Sequence, residues 1–255
     1  MYFDTHAHYD DKAFDEDREE LLQKLESADV KLIIDPGCDV DSSRKALELA
    51  EKFPFLYAAV GLHPEELEKH GGDALDKVRE LAGHPKCVAI GEIGLDYYWD
   101  ASRREEQNAL FRRQIELAME LDKPVIVHDR EAHGDCLEIV RAYPGLRGVF
   151  HCYSGSAEMA KELLKLGWYL GFDGPITYKN ARKALEVLEL CPVDRILIET
   201  DSPYLSPVPM RGKRNDSSNL RYVVEKIALI KELSHEQAAA LTLANGCRLF
   251  GIKRE

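Results

Sequence analysis

Apolar runs of four or five residues recur along the chain, and almost every one is followed by a stretch whose apolar residues are spaced three and four apart. The runs are Met1 to Thr5, Lys31 to Asp35, Leu56 to Val60, Cys87 to Gly91, Pro124 to Val127, Arg147 to Phe150, Trp168 to Phe172 and Arg195 to Glu199. Val125-Ile126-Val127 and Ile196-Leu197-Ile198 are apolar without alternation, the pattern of parallel strands covered on both faces. Between the runs, Leu21, Leu22, Leu25 and Ala28, or Phe111, Ile115, Ala118 and Met119, fall on one face of a helix. Asp41, Ser102 and Ser156 stand where such helices begin, and their short side chains can accept from the free N–H groups of a first turn. Strands alternating with helices through right-handed crossovers predict an α/β fold, a (β/α)8 TIM barrel. No linker, low-complexity tract or repeat divides residues 1–255, so a single domain is expected.

The segment from Ser202 to Ser218 breaks the pattern. Pro203, Pro207 and Pro209 forbid a helix there, which predicts a loop at the mouth of the barrel after the eighth strand. Loops of this length inside a domain usually carry function.

Composition narrows the setting. A net charge of -12 argues against broad, sequence-independent coating of nucleic acid, which rests on many Lys and Arg neutralising phosphates. The cysteines at 38, 87, 136, 152, 191 and 247 form no C-x-x-C pair, as expected of reduced thiols in a cytoplasmic protein. No apolar run approaches the roughly 20 residues of a membrane span, and the start Met1-Tyr2-Phe3-Asp4 lacks the features of a secretory signal.

The chemistry gathers at the ends of the apolar runs. His6 and His8 follow the first, His63 the third, Glu92 the fourth, His128 the fifth, His151 the sixth and Asp201 the eighth. Imidazole and carboxylate are ligands of divalent metals of intermediate hardness, and the C-terminal strand ends of a barrel form its chemical face. His6 and His8 are two apart and share one face with Asp4, so the H-x-H pair can clasp one ion. A carboxylate has two oxygens, and Glu92 can bridge ions about 3.5–4 Å apart, the spacing of two-metal hydrolytic sites. His128 and His151 can complete the second set, while Asp201 can ligate the first ion and take the proton of an attacking water. Taken singly, each has a structural alternative: a His near a strand end is commonly just hydrogen-bonded, and Asp201 can cap a turn. His70, His84, His133 and His235 fall in loops or helices and are assigned to the surface.

At these residues the chain resembles the TatD-type metal-dependent deoxyribonucleases, a branch of the amidohydrolase-like barrels. The resemblance runs through Phe3-Asp4-Thr5-His6-Ala7-His8, Val60-Gly61-Leu62-His63-Pro64, Ile90-Gly91-Glu92-Ile93-Gly94-Leu95-Asp96-Tyr97-Tyr98, Val127-His128-Asp129-Arg130-Glu131-Ala132, His151-Cys152-Tyr153-Ser154-Gly155-Ser156, Glu199-Thr200-Asp201-Ser202-Pro203-Tyr204-Leu205 and Arg211-Gly212-Lys213-Arg214-Asn215. Asn245 to Phe250 is similar to the family's closing helix. The resemblance implies His6, His8, Glu92 and Asp201 on one metal ion, Glu92, His128 and His151 on another, and His63 near the scissile phosphate. Two places depart from the family. Glu65 stands where many relatives carry a second His after His63-Pro64, and Asp216-Ser217 replaces the usual Glu-Pro. The ligands are untouched, so these departures bear on substrate contacts. Many related amidohydrolases bridge their metals with a carboxylated Lys at the end of strand four, a place that Glu92 holds here.

The implied function is hydrolysis of phosphodiester bonds by a deoxyribonuclease with 3′–5′ exonuclease activity on DNA, single-stranded or at 3′ ends. It would use a pair of divalent ions per chain, Mg²⁺, Mn²⁺ or Zn²⁺. Asp201, Glu92 and His63 are then catalytic. Arg211, Lys213 and Arg214 in the long loop can steer the backbone, and Tyr98, with Tyr97, Trp99, Tyr153 and Tyr204, stands where bases can stack; solvated charge and packing are the alternatives. Two other functions fit the ligand set: hydrolysis of a small amide, ester or lactone, and a non-catalytic, metal-stabilised binding protein. No obligate protein partner is evident.

Overall fold

Each apolar run forms a strand, and neighbours in sequence are neighbours in the sheet. The computed structural model describes residues 1–69 and 71–253. Its strands are β1 (Tyr2–Asp4), β2 (Val30–Pro36), β3 (Leu56–Val60), β4 (Cys87–Asp96), β5 (Val125–Arg130), β6 (Gly148–Phe150), β7 (Tyr169–Phe172) and β8 (Ile196–Ile198). They pair in parallel in the order β1 to β8, and the sheet closes where Thr5 N donates to Ile198 O at 3.1 Å and Ala7 bridges to Ser202. The helices between them are α1 (Arg18–Leu25), α2 (Val40–Lys52), α3 (Ala74–Ala82), α4 (Arg104–Glu120), α5 (His133–Arg141), α6 (Ala157–Lys165), α7 (Arg182–Leu190) and α8 (Leu220–Lys231), followed by α9 (His235–Phe250). The expected (β/α)8 barrel is the observed fold.

Two apolar layers hold it together. Inside the barrel, every strand contributes one residue, Phe3, Ile34, Ala59, Ala89, Ile126, Val149, Tyr169 and Leu197, to a cluster that α9 covers with Leu243, Cys247, Leu249 and Phe250. Outside it, strand residues such as Val60, Ile90, Val127 and Ile198 pack against the ring of helices. Full burial of a large aliphatic or aromatic side chain stabilises by about 1.5–3 kcal/mol, so these layers dominate the fold's stability. Because side chains alternate along a strand, the position two residues beyond each interior residue faces the opposite mouth of the barrel. Ile126 is thus followed by His128, Val149 by His151 and Leu197 by Glu199. On β7 that position is Gly171, where a Cβ would come within 2.5 Å of Glu199 Oε2. The glycine leaves space for a buried carboxylate in the barrel's centre.

Three local expectations change. β4 and β5 run past their apolar segments, to Asp96 and Arg130, because the polar tails pair with each other: Gly94 with His128, Leu95 with Asp129, Asp96 with Arg130. Glu92 and His128 therefore lie within strands, not after them. The cap of α2 is Asp39, in a reciprocal capping box with Ser42, and Asp41 falls in the first turn. Ser102 sits in a short 3-10 turn capped by Asp100, whereas Ser156 caps α6 as expected.

From Ser202 to Asp216 the chain is indeed a loop, followed by a short 3-10 turn at Ser217–Asn219. Asn215 anchors it: fully buried, it donates from Nδ2 to Thr200 O at 2.9 Å and from its backbone N to Pro203 O at 3.0 Å. All six cysteines are free thiols, and among the described residues no helix is long and apolar enough to cross a membrane.

Candidate metal centre

The barrel rotates the scattered strand-end residues onto one point, and Glu92 is that point. Its Oε2 lies 3.3 Å from His6 Nε2 and 3.6 Å from His8 Nε2. Asp201 Oδ1 closes this first group at 3.6 and 3.5 Å from the same two nitrogens, which are 3.1 Å apart. The other oxygen, Oε1, lies 2.8 Å from both His128 Nδ1 and His151 Nε2, themselves 3.3 Å apart, and 3.4 Å from His63 Nε2. The rings of His6 and His151 stack at 4.0 Å between the two groups.

Donors bound at about 2.0–2.2 Å to one cation must lie roughly 3.0–3.5 Å from each other. The separations above match that spacing, and the donor set, imidazole with carboxylate, is one that divalent cations take. His6, His8 and Glu92 form one group able to hold an ion, and Glu92, His128 and His151 another. The residues therefore fit a pair of ions sharing Glu92.

Electrostatics bind these groups tightly. Burial acts against charge on Glu92, but the imidazoles around it, His151 and His6 foremost, hold its carboxyl well below the usual range. Burial lowers His8 and His128, yet hydrogen bonds outweigh it and carry both to about 10: Asp201 with the charge of Glu92 acts on His8, Asp96 with Glu92 on His128. His6, fully buried beside His151, is pushed down to about 4. Asp201 is kept ionised against its burial by His8 and His6.

Two carboxylates behind the histidines carried no local signal in the sequence. Asp96 Oδ2 accepts from His128 Nε2 at 2.9 Å, and Asp96 Oδ1 is fixed by the N–H groups of Tyr98 and Trp99, each at 2.9 Å. This turns Nδ1 of His128 toward Glu92. Glu199, fully buried, accepts from Cys152 N and lies 3.8 Å from His151 Nδ1. A carboxylate bonded to the far ring nitrogen, as Asp96 is to His128, orients the imidazole and raises its basicity, whereas Glu199 is beyond hydrogen-bond reach of His151 Nδ1, which has no such partner. Replacing Asp96 with asparagine is expected to weaken cation binding at the His128 group about 10–100-fold. Competition against a chelating dye measures this, and unchanged affinity would remove Asp96 from that role. Asp4, expected to share the direction of His6 and His8, turns instead to Thr200, accepting from its N at 2.9 Å and its Oγ1 at 2.6 Å.

His63 Nδ1 accepts from Glu65 N at 3.2 Å, which leaves the proton on Nε2, pointing at the same centre. Burial and the neighbouring His128 lower its pKa, so the ring is a neutral donor. The departures from the family pattern divide in two. Glu65 lines the cleft over the centre. Asp216 caps the turn at Ser217–Asn219, and Ser217 Oγ is hydrogen-bonded to Tyr9 OH at 2.8 Å, so that pair serves the loop's structure.

The cleft has a volume of about 1330 Å³ and is lined by His8, His63, Glu92, His128, His151 and Asp201. The expected substrate-binding residues are not among its lining, although Tyr98 and Arg211 each stack on a residue that is, Arg130 and Tyr178. Arg214 is clamped by Asp17 at 2.6 and 2.8 Å and covers Phe14, Arg211 lies over the ring of Tyr178 at 4.1 Å, and neither they, Lys213 nor Tyr98 line the cleft. Trp99 does. His84, His133 and His235 are bonded to Glu51, Asp129 and Tyr2, away from the centre; His70 lies outside the described residues.

A sequence model of the family described as "TatD related DNase" matches residues 3–251. The chain is 44% identical over 254 residues to the "uncharacterized metal-dependent hydrolase YabD" of Bacillus subtilis, covering 99% of this chain and 100% of that protein. It is 36% identical to the "uncharacterized metal-dependent hydrolase YcfH" of Escherichia coli, over 98% of this chain and 95% of that one. Among solved structures, the crystal structure of YJJV, a TatD homolog from Escherichia coli, superposes with a TM-score of 0.93 at 34% identity, covering 99% of this chain and 98% of that one.

Proposed function

Because this chain belongs to the family of TatD-related DNases and is a metal-dependent hydrolase of that family, we propose that it hydrolyses phosphodiester bonds of DNA, removing nucleotides from the 3′ end of a single strand. The observation that carries this reading is the division of Glu92, one oxygen among His6, His8 and Asp201 and the other among His128, His151 and His63. We assign His6, His8, Glu92 and Asp201 to one ion and Glu92, His128 and His151 to the second. A divalent pair there, Mg²⁺, Mn²⁺ or Zn²⁺, supplies Lewis acidity for a phosphoryl oxygen and lowers the pKa of water.

The chain's own groups do the rest. Asp201, held ionised, accepts the proton of the attacking water. His63, its proton fixed on Nε2, donates to a phosphate oxygen or to the departing one. The cleft exceeds the roughly 300–1,000 Å³ of a small-molecule pocket, which favours a polymer end over a lactone or cyclic amide. A substrate panel tests this: end-labelled single-stranded DNA, a lactone and a cyclic amide offered together, with and without chelator. Chelator-sensitive loss of DNA with the small substrates untouched supports the proposal. Preferential turnover of lactone or amide contradicts it, and no turnover of any substrate, with melting lowered by metal removal, would leave a non-catalytic, metal-stabilised protein.

A further inference from the structure

The cleft over the metal centre is not electrically uniform. Above β1 to β3 its wall carries Asp10, Asp11, Asp39, Glu65 and Glu66; above β5 and β7 it carries Arg130, at the end of β5, and Arg182 and Lys183, at the start of α7, beside Asp129, which is paired with His133 at 2.9 Å, and Asp173, whose carboxyl burial raises well above the usual range. Lys69 also lines it but is spent on Glu66 at 2.5 Å and Asp39 at 3.9 Å. Among the described residues no such ion pair holds Arg130, Arg182 or Lys183. In a barrel of eight strands β2 stands opposite β6, so a polyanion entering the cleft is repelled from one wall and drawn to the other. The walls meet above β4, where the charge of Arg130 reaches Glu65.

Arg130 is held there by rings. Its guanidinium lies 4.0 Å from the centroid of Tyr98 and 5.5 Å from that of Trp99, and the two rings meet edge-on at 5.0 Å. Stacking of this kind fixes the plane of an arginine while leaving its N–H fork free for a phosphate. Trp99 is 63% exposed and Tyr98 56%, an unusual surplus of open aromatic face beside a polar cleft. The backbone N–H groups of both are tied to Asp96 Oδ1, the same carboxylate that orients His128, so the patch is fixed relative to the metal centre.

We infer that Trp99, Tyr98 and Arg130 form a binding subsite for the nucleotide next to the scissile bond of a single DNA strand, with Arg182 and Lys183 holding the backbone further along the β5–β7 wall. Arg130 takes the neighbouring phosphate and Trp99 the face of a base, and the strand leaves the centre away from the carboxylate wall. This rests on the reading of the centre as a phosphodiesterase. It moves the strand-guiding role from Arg211, Lys213 and Arg214 to cations that face the cleft.

The test is equilibrium binding of a labelled, cleavage-resistant phosphorothioate oligonucleotide to the metal-loaded protein, by anisotropy across a salt series. Arg130→Ala and the pair Arg182→Ala with Lys183→Ala are each expected to weaken binding about tenfold, and the salt slope to fall by about 0.7 for each cation removed. Because Trp168 is buried, long-wavelength tryptophan emission reports Trp99; it should be quenched on binding, and Trp99→Ala should abolish the quench. Undiminished affinity and slope in the arginine and lysine variants, with emission unmoved, would overturn the subsite while leaving the phosphodiesterase reading intact. A wild-type protein that binds no oligonucleotide would overturn both.

Discussion

Replacing Glu92 with alanine should remove both of the cations proposed for the centre and lower kcat/KM on a phosphodiester by about 10³-fold or more, the scale seen when an essential charge-stabilising or acid–base group is lost. Glu92 is the only residue found in both of the donor groups that divide His6 and His8 from His128 and His151. Its removal takes a ligand from each and also the shared negative charge toward which five imidazoles point, His6, His8, His63, His128 and His151. Elemental analysis of purified variant and wild type checks the first half, and steady-state kinetics the second. Glu92→Gln, which keeps the shape and one good acceptor, should retain part of the metal and little of the rate. Full metal content in Glu92→Ala would show that the carboxylate does not join the sites.

Asp201→Asn should behave differently. A fall of about 10²–10⁴-fold in kcat is expected from loss of a proton acceptor, with KM little changed. Asparagine is the substitution of choice because Asp201 has φ of 54°, a left-handed conformation that Asn tolerates and alanine does not. The backbone bonds, Asp201 N to His6 O and Tyr204 N to Asp201 O, both at 2.9 Å, are then undisturbed. Asp201 lies against the His6 and His8 side of the centre, so a cation held by Glu92, His128 and His151, as proposed, should stay. Metal analysis that shows loss confined to one ion, beside the kinetic defect, separates this outcome from that of Glu92. A variant with wild-type kcat would remove Asp201 from the reaction.

Much of this centre was legible before any coordinates, for a reason specific to the barrel. Buried parallel strands write themselves as short apolar runs, and in this fold their C-terminal ends converge. Residues that follow the runs are therefore neighbours whatever their separation, as His6 and Asp201 show. Where the runs end was less legible. Gly94-Leu95-Asp96 and His128-Asp129-Arg130 read as polar tails, yet they extend β4 and β5 by pairing with each other. Asp96 and Glu199 fall within the stretches that resemble the family but had no role assigned, because a carboxylate behind a histidine leaves no spacing of its own. The basic residues divided similarly. Arg211, Lys213 and Arg214 stand out as a cluster in sequence, but Arg214 is paired with Asp17, and Arg211, stacked on Tyr178, and Lys213 are not among the residues that line the cleft. Arg130, Arg182 and Lys183 are unremarkable in sequence, and only the curvature of the sheet faces them into one cleft.

Product mapping on one defined, end-labelled single-stranded oligonucleotide asks the central question most directly, with wild type and Asp201→Asn run side by side in Mg²⁺ or Mn²⁺ and in chelator. A ladder of products shortened stepwise from the 3′ end, present only with metal and at least about 10²-fold slower with Asp201→Asn, is the expected result. An intact oligonucleotide in every lane, or the same ladder from both proteins, would contradict a nuclease built on this centre.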